Sequence, residues 1–356
     1  MRNPDKRRFL DAVRHVESEE IALFECDPDI SQVNKILGKS FPLSLHAYDL
    51  PIPDYVELNC RMGNDMIYFY HVWRLGRKEK EDSSGRIHYI DGTMKTPDSL
   101  GEIWYPDLDQ VRARLEELLN RIGGSGFGVV CGTQSASFTA ATAMGIQDYW
   151  YQTIDNPGFV HEFQKRLHEY CIREQEVLMQ YPIDVIKIGS GFVTKTGPMC
   201  SRQMLEEFET AYLREQSRAA VAEGLPVYFH IDGNITGMIP DILEMGVSIV
   251  NPVEPCSGRQ DIYRIKELWG RKLALCGNID VDGVLLNGTP AEVRLDVEEH
   301  IDRLAPGGGY VVASSHDIHQ LIPLENFYAM RDAVHEHRFR PAKEAGRETQ
   351  DLGNAR

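Results

Sequence analysis

No run of about 18 consecutive apolar residues occurs anywhere in the chain, so the sequence offers no membrane-spanning helix. Positive charge is also scarce. Against 54 Asp and Glu stand only 38 Lys and Arg, a formal charge of −16. A chain this acidic repels phosphate backbones, which argues against nucleic-acid binding. Cysteine is thin and unpatterned: Cys26, Cys60, Cys131, Cys171, Cys200, Cys256 and Cys276 make an odd number with no CxxC pair. A disulfide framework is not expected from such a set, and single cysteines are usually small buried hydrophobes. The opening stretch, MRNPDKRRFLDAV, is charged and helical in pattern, with no apolar segment of signal-peptide type behind it. The expectation is a cytoplasmic protein. No internal repeat is found.

Apolar content is ample, at 42% of 356 residues, enough for a large core. β-Branched apolar runs recur at 21–26, 65–72, 126–132, 184–191, 226–233, 248–255, 272–280 and 310–317. They are nearly continuous rather than alternating, as strands covered on both faces are. Amphipathic helical patterns such as SRQMLEEFETAYLREQSRAAVAEG and DIYRIKELWG lie between them. Eight strands alternating with helices predict an α/β fold, the (β/α)8 TIM barrel, with a doubly wound sheet as the alternative. The segment at 74–108 breaks the alternation, and its turn signals SSG and DG around RIHYI predict a β-hairpin insertion after the second strand. One barrel domain is expected over 1–340, followed by a polar tail at 341–356 that is expected to fray. The glycines of APGGGY and GGSGFG read better as tight loops into strands than as phosphate cradles.

In barrels of this kind the reaction site forms where strands end. Here those ends are polar: Glu25 and Asp27, His71, Gln134, Lys187, His230 and Asp232, Glu254, Cys276 and Asn278, then Ser315, His316 and Asp317. In YFHIDGN, His230 and Asp232 are two apart on a strand and share a face. His230, Cys276 and His316 can converge on one zinc ion, since imidazole and thiolate suit that metal and three protein ligands leave a position open. Asp232 is either a further ligand or an acceptor that orients a ligating histidine. Loops are polar in any case, so the plainer reading of any one residue is a solvated strand end.

Several ordered motifs carry a resemblance: GLPVYFHIDGNI, MGVSIVNPVEP, KLALCGNID, LLNGTPAEV and LAPGGGYVVASSHDIH with IPLENFYAM. Over roughly 120–335 the chain resembles the uroporphyrinogen decarboxylase superfamily, whose members are (β/α)8 barrels. True uroporphyrinogen decarboxylases carry an arginine motif of the form MRQAGR and an aspartate at the end of the next strand. This chain has IALFECD without arginine, and His71 in the aspartate's place; among its strand ends Lys187 alone is cationic. The resemblance therefore implies the other branch, the cobalamin-dependent methyltransferases, which bind zinc through H-x-C after the fifth strand and a late cysteine. His230 matches, Asp232 replaces the cysteine, and His316 in ASSHDI stands for the late ligand. A His/Asp/His set is harder than a thiolate site and suits a substrate oxygen. GSG at Gly189–Gly191, where many members have an acidic GDD, also removes charge from the site.

The expected activity is a zinc-assisted methyltransferase of O-demethylase type. A methyl group passes from a small donor, a methoxylated aromatic among the candidates, to a corrinoid (cobalamin) carried by a partner protein. His230, Asp232 and His316 are the catalytic candidates. The metal set is His230 and His316, with Asp232 and Cys276 competing for third place. His71, Gln134, Lys187, Asn278, Tyr70 and Trp73 are expected to contact substrate. Tyr68, Tyr70, Trp73 and Phe192 suit an aromatic ring, although aromatics at such spacing are more often core. A homodimer is compatible with the sequence. The alternative is a metal-free decarboxylase of a small acid, in which Asp232 or His71 handles the proton and Lys187 holds the carboxylate. A third reading is a corrinoid- or tetrapyrrole-binding protein without chemistry. The chain lacks the D-x-H-x-x-G signature of corrinoid-carrying domains, so a partner has to bring that cofactor.

Overall fold

The eight apolar runs become eight parallel strands in the computed structural model, which describes residues 1–339: β1 Ala22–Leu23, β2 Met66–Phe69, β3 Gly128–Gly132, β4 Val185–Ser190, β5 Val227–Ile231, β6 Ile249–Pro252, β7 Ala274–Cys276 and β8 Tyr310–Val312. From β2 onward each strand pairs with the next, and β8 pairs with β1, Ala22 opposite Val311. Helices fill the intervals, giving a nearly closed α/β TIM barrel as the alternation predicts. The tail at 341–356 lies outside the described residues.

No ladder joins β1 to β2 among the described residues. Two strand residues alone would leave backbone groups unpaired in a dry place, and side chains complete that seam. Asn64 accepts from Glu25 N at 3.0 Å and donates to the Glu25 carbonyl at 2.9 Å, while Asp65 N donates to the Leu23 carbonyl at 3.0 Å.

The ladders are shorter than the apolar runs. The run at 248–255 pairs only over Ile249–Pro252, and that at 310–317 only over Tyr310–Val312. The residues cut off, Glu254, His316 and Asp317 among them, leave the sheet at its C-terminal end and form the mouth. Helix Leu108–Ile122 shows how the outer layer is built. Val111, Leu115, Leu118 and Ile122 follow the helical period onto one buried face, and Asp107 caps the start by accepting from Asp109 N. Fully burying a leucine such as Leu115 or Leu118 contributes about 1.5–3 kcal/mol.

The expected hairpin is present after β2, Arg77–Glu81 antiparallel to Ile87–Gly92. It is tied down from above the mouth. The Arg86 fork grips Asp29, in the loop after β1, with bonds of 2.6 and 3.0 Å, and Tyr89 donates to the Thr142 carbonyl at 3.0 Å. Trp73 and Phe192 belong to a second core cluster, packed with Tyr149, Phe163 and Tyr170. Gly191 serves that packing, because a Cβ there would meet the Phe138 ring at 2.5 Å. All seven cysteines are free thiols. No described helix is long and apolar enough to cross a membrane.

Candidate functional site

Asp232, just past β5, is the centre of the mouth. Its Oδ1 lies 3.7 Å from His230 Nε2 and its Oδ2 lies 3.7 Å from His316 Nε2. Glu254, just past β6, closes the group: ligand atoms of Asp232, Glu254 and His316 all lie within 4.8 Å of one another. Asp232 Oδ1 is buried and has no hydrogen-bond partner. Two carboxylates and an imidazole converging on one point, with an orphaned oxygen among them, fit a divalent cation better than they fit each other. This donor set is rich in oxygen and free of sulfur, within the range zinc accepts.

His230 is oriented from behind. Its register partner on β6 is Asn251, whose Oδ1 lies 2.7 Å from His230 Nδ1. The Asn251 amide is fixed in turn, since its Nδ2 donates to the Cys276 carbonyl at 3.2 Å. Asn251 Oδ1 must then be an acceptor, so His230 carries its proton on Nδ1 and turns the Nε2 lone pair toward Asp232. Burial, seconded by the Lys187 charge, lowers the His230 pKa to about 4, so the ring is neutral at physiological pH. His316 differs. Its Nδ1 accepts from Asp317 N at 2.7 Å, and its ring is half-exposed. With Nδ1 accepting, the neutral ring carries its proton on Nε2, so ligation through Nε2 would require the proton to move to Nδ1, 3.9 Å from the Asp317 carboxylate, and the bond from Asp317 N to be given up.

Cys276, the other candidate for third ligand, stays below this group. Its thiol is fully buried in the barrel, 3.7 Å from both the Tyr228 hydroxyl and Asn251 Nδ2. Burial pushes its pKa far up. Of the two candidates for third ligand, the structure brings Asp232 into the group and leaves Cys276 out of it, and it adds Glu254. One signal in the sequence pointed there: neighbouring strands in a barrel end side by side, so NPVEP after the sixth strand had to lie next to FHIDG after the fifth.

Two cavities of about 460 Å³ each open on the mouth and share His316 and His319. The first holds the acidic side, with Glu254, Asp280, Asp282 and Cys256. The second lies under the hairpin and holds Arg74, Arg77 and Arg86 with Asp27, Asp29 and Asp317. Strand ends alone offer one cation, Lys187; the hairpin adds Arg77 and Arg86, and the segment leading into it adds Arg74. Burial and the nearby Asp27 carboxylate push the Asp317 pKa up to about 7. Burial and Asp232 raise that of Glu254.

The expected substrate contacts line neither cavity. The Lys187 ammonium lies 4.2 Å from the centre of the Tyr68 ring, inside the barrel. Tyr70 stacks on Tyr68 at 5.6 Å and donates to Gln134 Oε1 at 3.1 Å, while Gln134 Nε2 donates to the His71 carbonyl. His71 keeps an orphaned, buried Nε2, and burial lowers its pKa. Asn278 has both ends engaged, donating to the Val253 carbonyl at 2.8 Å and lying 3.1 Å from His300 Nε2. Trp73 is buried and donates to the Trp104 carbonyl at 3.0 Å. These residues build the wall behind the mouth.

A family model described as "Uroporphyrinogen decarboxylase (URO-D)" matches residues 93–337, more than half of the chain. Over 68 residues the chain is 40% identical to a uroporphyrinogen decarboxylase of Actinobacillus succinogenes, covering 19% of each. Over 77 residues it is 35% identical to the Azoarcus sp. uroporphyrinogen decarboxylase, covering 22% of this chain and 21% of that one. The chain thus spans about a fifth of the length of the curated relatives it matches. A solved structure titled "methyltransferase from Methanosarcina mazei" superposes with a TM-score of 0.74 over 93% of this chain and 98% of that one, at 18% identity. That likeness shows a shared fold.

Proposed function

Because the chain belongs to the uroporphyrinogen decarboxylase (URO-D) family, and because its mouth gathers a metal-ligating group where a porphyrinogen's carboxylates would need cations, we propose a metal-assisted methyltransferase. It moves a methyl group from a small oxygen-bound donor, a methoxylated aromatic first among the candidates, to a corrinoid carried by a partner protein. Zinc is the proposed metal and the cytoplasm the proposed compartment. The observation that carries the reading is the convergence of Asp232, Glu254 and His316 around an orphaned carboxylate oxygen. The methyltransferase title of the similar fold supports the same reaction class.

Asp232, Glu254 and His316 would hold the metal, with His230 beside them. When bound, it supplies Lewis acidity at the oxygen that gives up the methyl group. The chain's own residues do the rest. His230 stays neutral and correctly oriented through Asn251. Asp317, with a pKa near 7 and beside His316, can hold a proton for the departing oxygen, which is what general acid catalysis at neutral pH requires. Metal-free decarboxylation of a small acid remains the second reading, and the arginines under the hairpin are the observation that favours it, since they suit a carboxylate.

The test is turnover of the zinc-loaded chain with methoxylated aromatics and cob(I)alamin. The expected result is phenol formed in step with loss of Co(I), abolished by chelation. Carbon dioxide release from small acids, undiminished by chelation and without phenol formation, would replace this reading with the second.

A further inference from the structure

Among the described residues, one of the three arginines in the cavity under the hairpin has no counterion within ion-pair distance. Arg86 is taken by Asp29, at 2.6 and 3.0 Å, and Arg74 by Glu79, at 3.1 Å. Arg77 lines the same cavity, and among the described residues no ion pair or hydrogen bond reaches its guanidinium. Its Nε is buried without a partner. The strand period explains why this arginine faces inward: Arg77 and Glu79 line the cavity, while Lys78 and Lys80, one residue out of phase, do not. An uncompensated guanidinium with a buried Nε is costly to keep, because five donors with a fixed fork are left facing a pocket. The surrounding walls are in part apolar, with Leu43, Leu45, Ile87 and Tyr89. The cavity borders the metal-ligating group through His316, which belongs to both.

We infer that Arg77 is the anchor for a carboxylate of the substrate, making the hairpin cavity the site for the acidic end of a small aromatic acid. A planar fork meets a planar carboxylate with two parallel bonds, which a lysine at the same place cannot do. The apolar walls take the ring. His316 marks the border across which the same molecule presents its reacting group to Asp232 and Glu254. The inference rests on the methyl-transfer reading for the identity of that reacting group, but not for the carboxylate itself.

The experiment is equilibrium binding to the full chain without added metal or corrinoid, by titration calorimetry. The probes are 4-methoxybenzoate and its uncharged analogue 4-methoxybenzyl alcohol. The wild type is expected to favour the carboxylate by about 10- to 100-fold, the range of a charge-assisted hydrogen bond. Arg77→Gln is expected to erase that preference and Arg77→Lys to restore part of it. Lys80→Gln, on the outer face of the same strand, is expected to leave it intact. Equal affinity for both probes, no binding of either, or the same loss in Lys80→Gln as in Arg77→Gln overturns the inference. Because no methyl transfer is read, the two claims fail separately. A preserved preference in a chain that transfers no methyl group keeps the anchor and removes the reaction. Demethylation without carboxylate preference does the reverse.

Discussion

The two cavities at the mouth are alike in size and opposite in origin. The acidic one is assembled by the barrel itself, from residues that leave β4, β6, β7 and β8 at the C-terminal edge of the sheet. The arginine-bearing one exists because a hairpin was inserted after β2 and fastened over the mouth by Arg86 and Asp29. In the first, position along a strand decides which side chains meet. In the second, position along a strand means nothing until the hairpin is placed on the barrel. His316 stands on the border and belongs to both. The comparison teaches a division of labour under the proposed function: the frame would supply the metal-ligating chemistry, and the insertion would supply what distinguishes one substrate from another.

Breaking the first side should have the largest effect. Asp232→Ala removes the group that faces both imidazoles, and metal affinity is expected to fall by more than about 100-fold, beyond the range of losing a supporting residue. Competition with a chromogenic chelator measures it. Asn251→Leu removes the acceptor behind His230 together with the donor to the Cys276 carbonyl, and a loss of about 10- to 100-fold is expected in the same assay. The Arg77→Gln change on the second side should cost a similar factor in carboxylate binding while leaving metal content unchanged, which separates the two cavities. Cys276→Ala sharpens the boundary of the first side. It is expected to retain the metal and to lower stability by about 1 kcal/mol, the usual cost of a modest buried truncation, read by urea denaturation.

The smallest effect lies outside both cavities. Glu174 is fully buried behind Gln134, accepts from its backbone N at 3.2 Å, and burial raises its pKa to about 8. Between the ordinary carboxyl value and about 8 the folded chain therefore holds a proton that the unfolded chain has released. Its contribution to stability falls as pH rises through that window. Glu174→Gln keeps the acceptor and removes the titration. The melting temperature of the variant is expected to decline less than that of wild type between pH 5 and about 8. Parallel declines would show that Glu174 ionises no differently when folded.

The division also explains what was legible beforehand. Continuous apolar runs at regular intervals specify strands buried on both faces, so the eight-stranded barrel could be read directly, and the turn signals at SSG and DG located the hairpin. That His230, Asp232 and His316 lie together at the mouth was legible because each stands at or just past a strand end. Glu254 was seen as a polar strand end but not as a partner, since its role depends on β6 lying beside β5. Cys276 competes with Asp232 for a ligand place on its chemistry, yet as the last residue of a short strand it points into the packed interior. The substrate contacts were harder. Trp73, Asn278 and Gln134 carry polar ends that the fold uses for its own backbone and side chains, and no local pattern reveals that. Arg77 was invisible for the opposite reason: in RLGRKEKE it is one charge among many, and only the paired state of Arg74 and Arg86 singles it out.

The central claim is that Glu254, rather than Cys276, completes the metal group with Asp232 and His316. Elemental analysis of the natively purified full chain, alongside Glu254→Ala and Cys276→Ala, tests it most directly. The account predicts about one zinc per chain, as a mononuclear site requires, in wild type and in Cys276→Ala, and little in Glu254→Ala. Zinc retained in Glu254→Ala and lost in Cys276→Ala would contradict it.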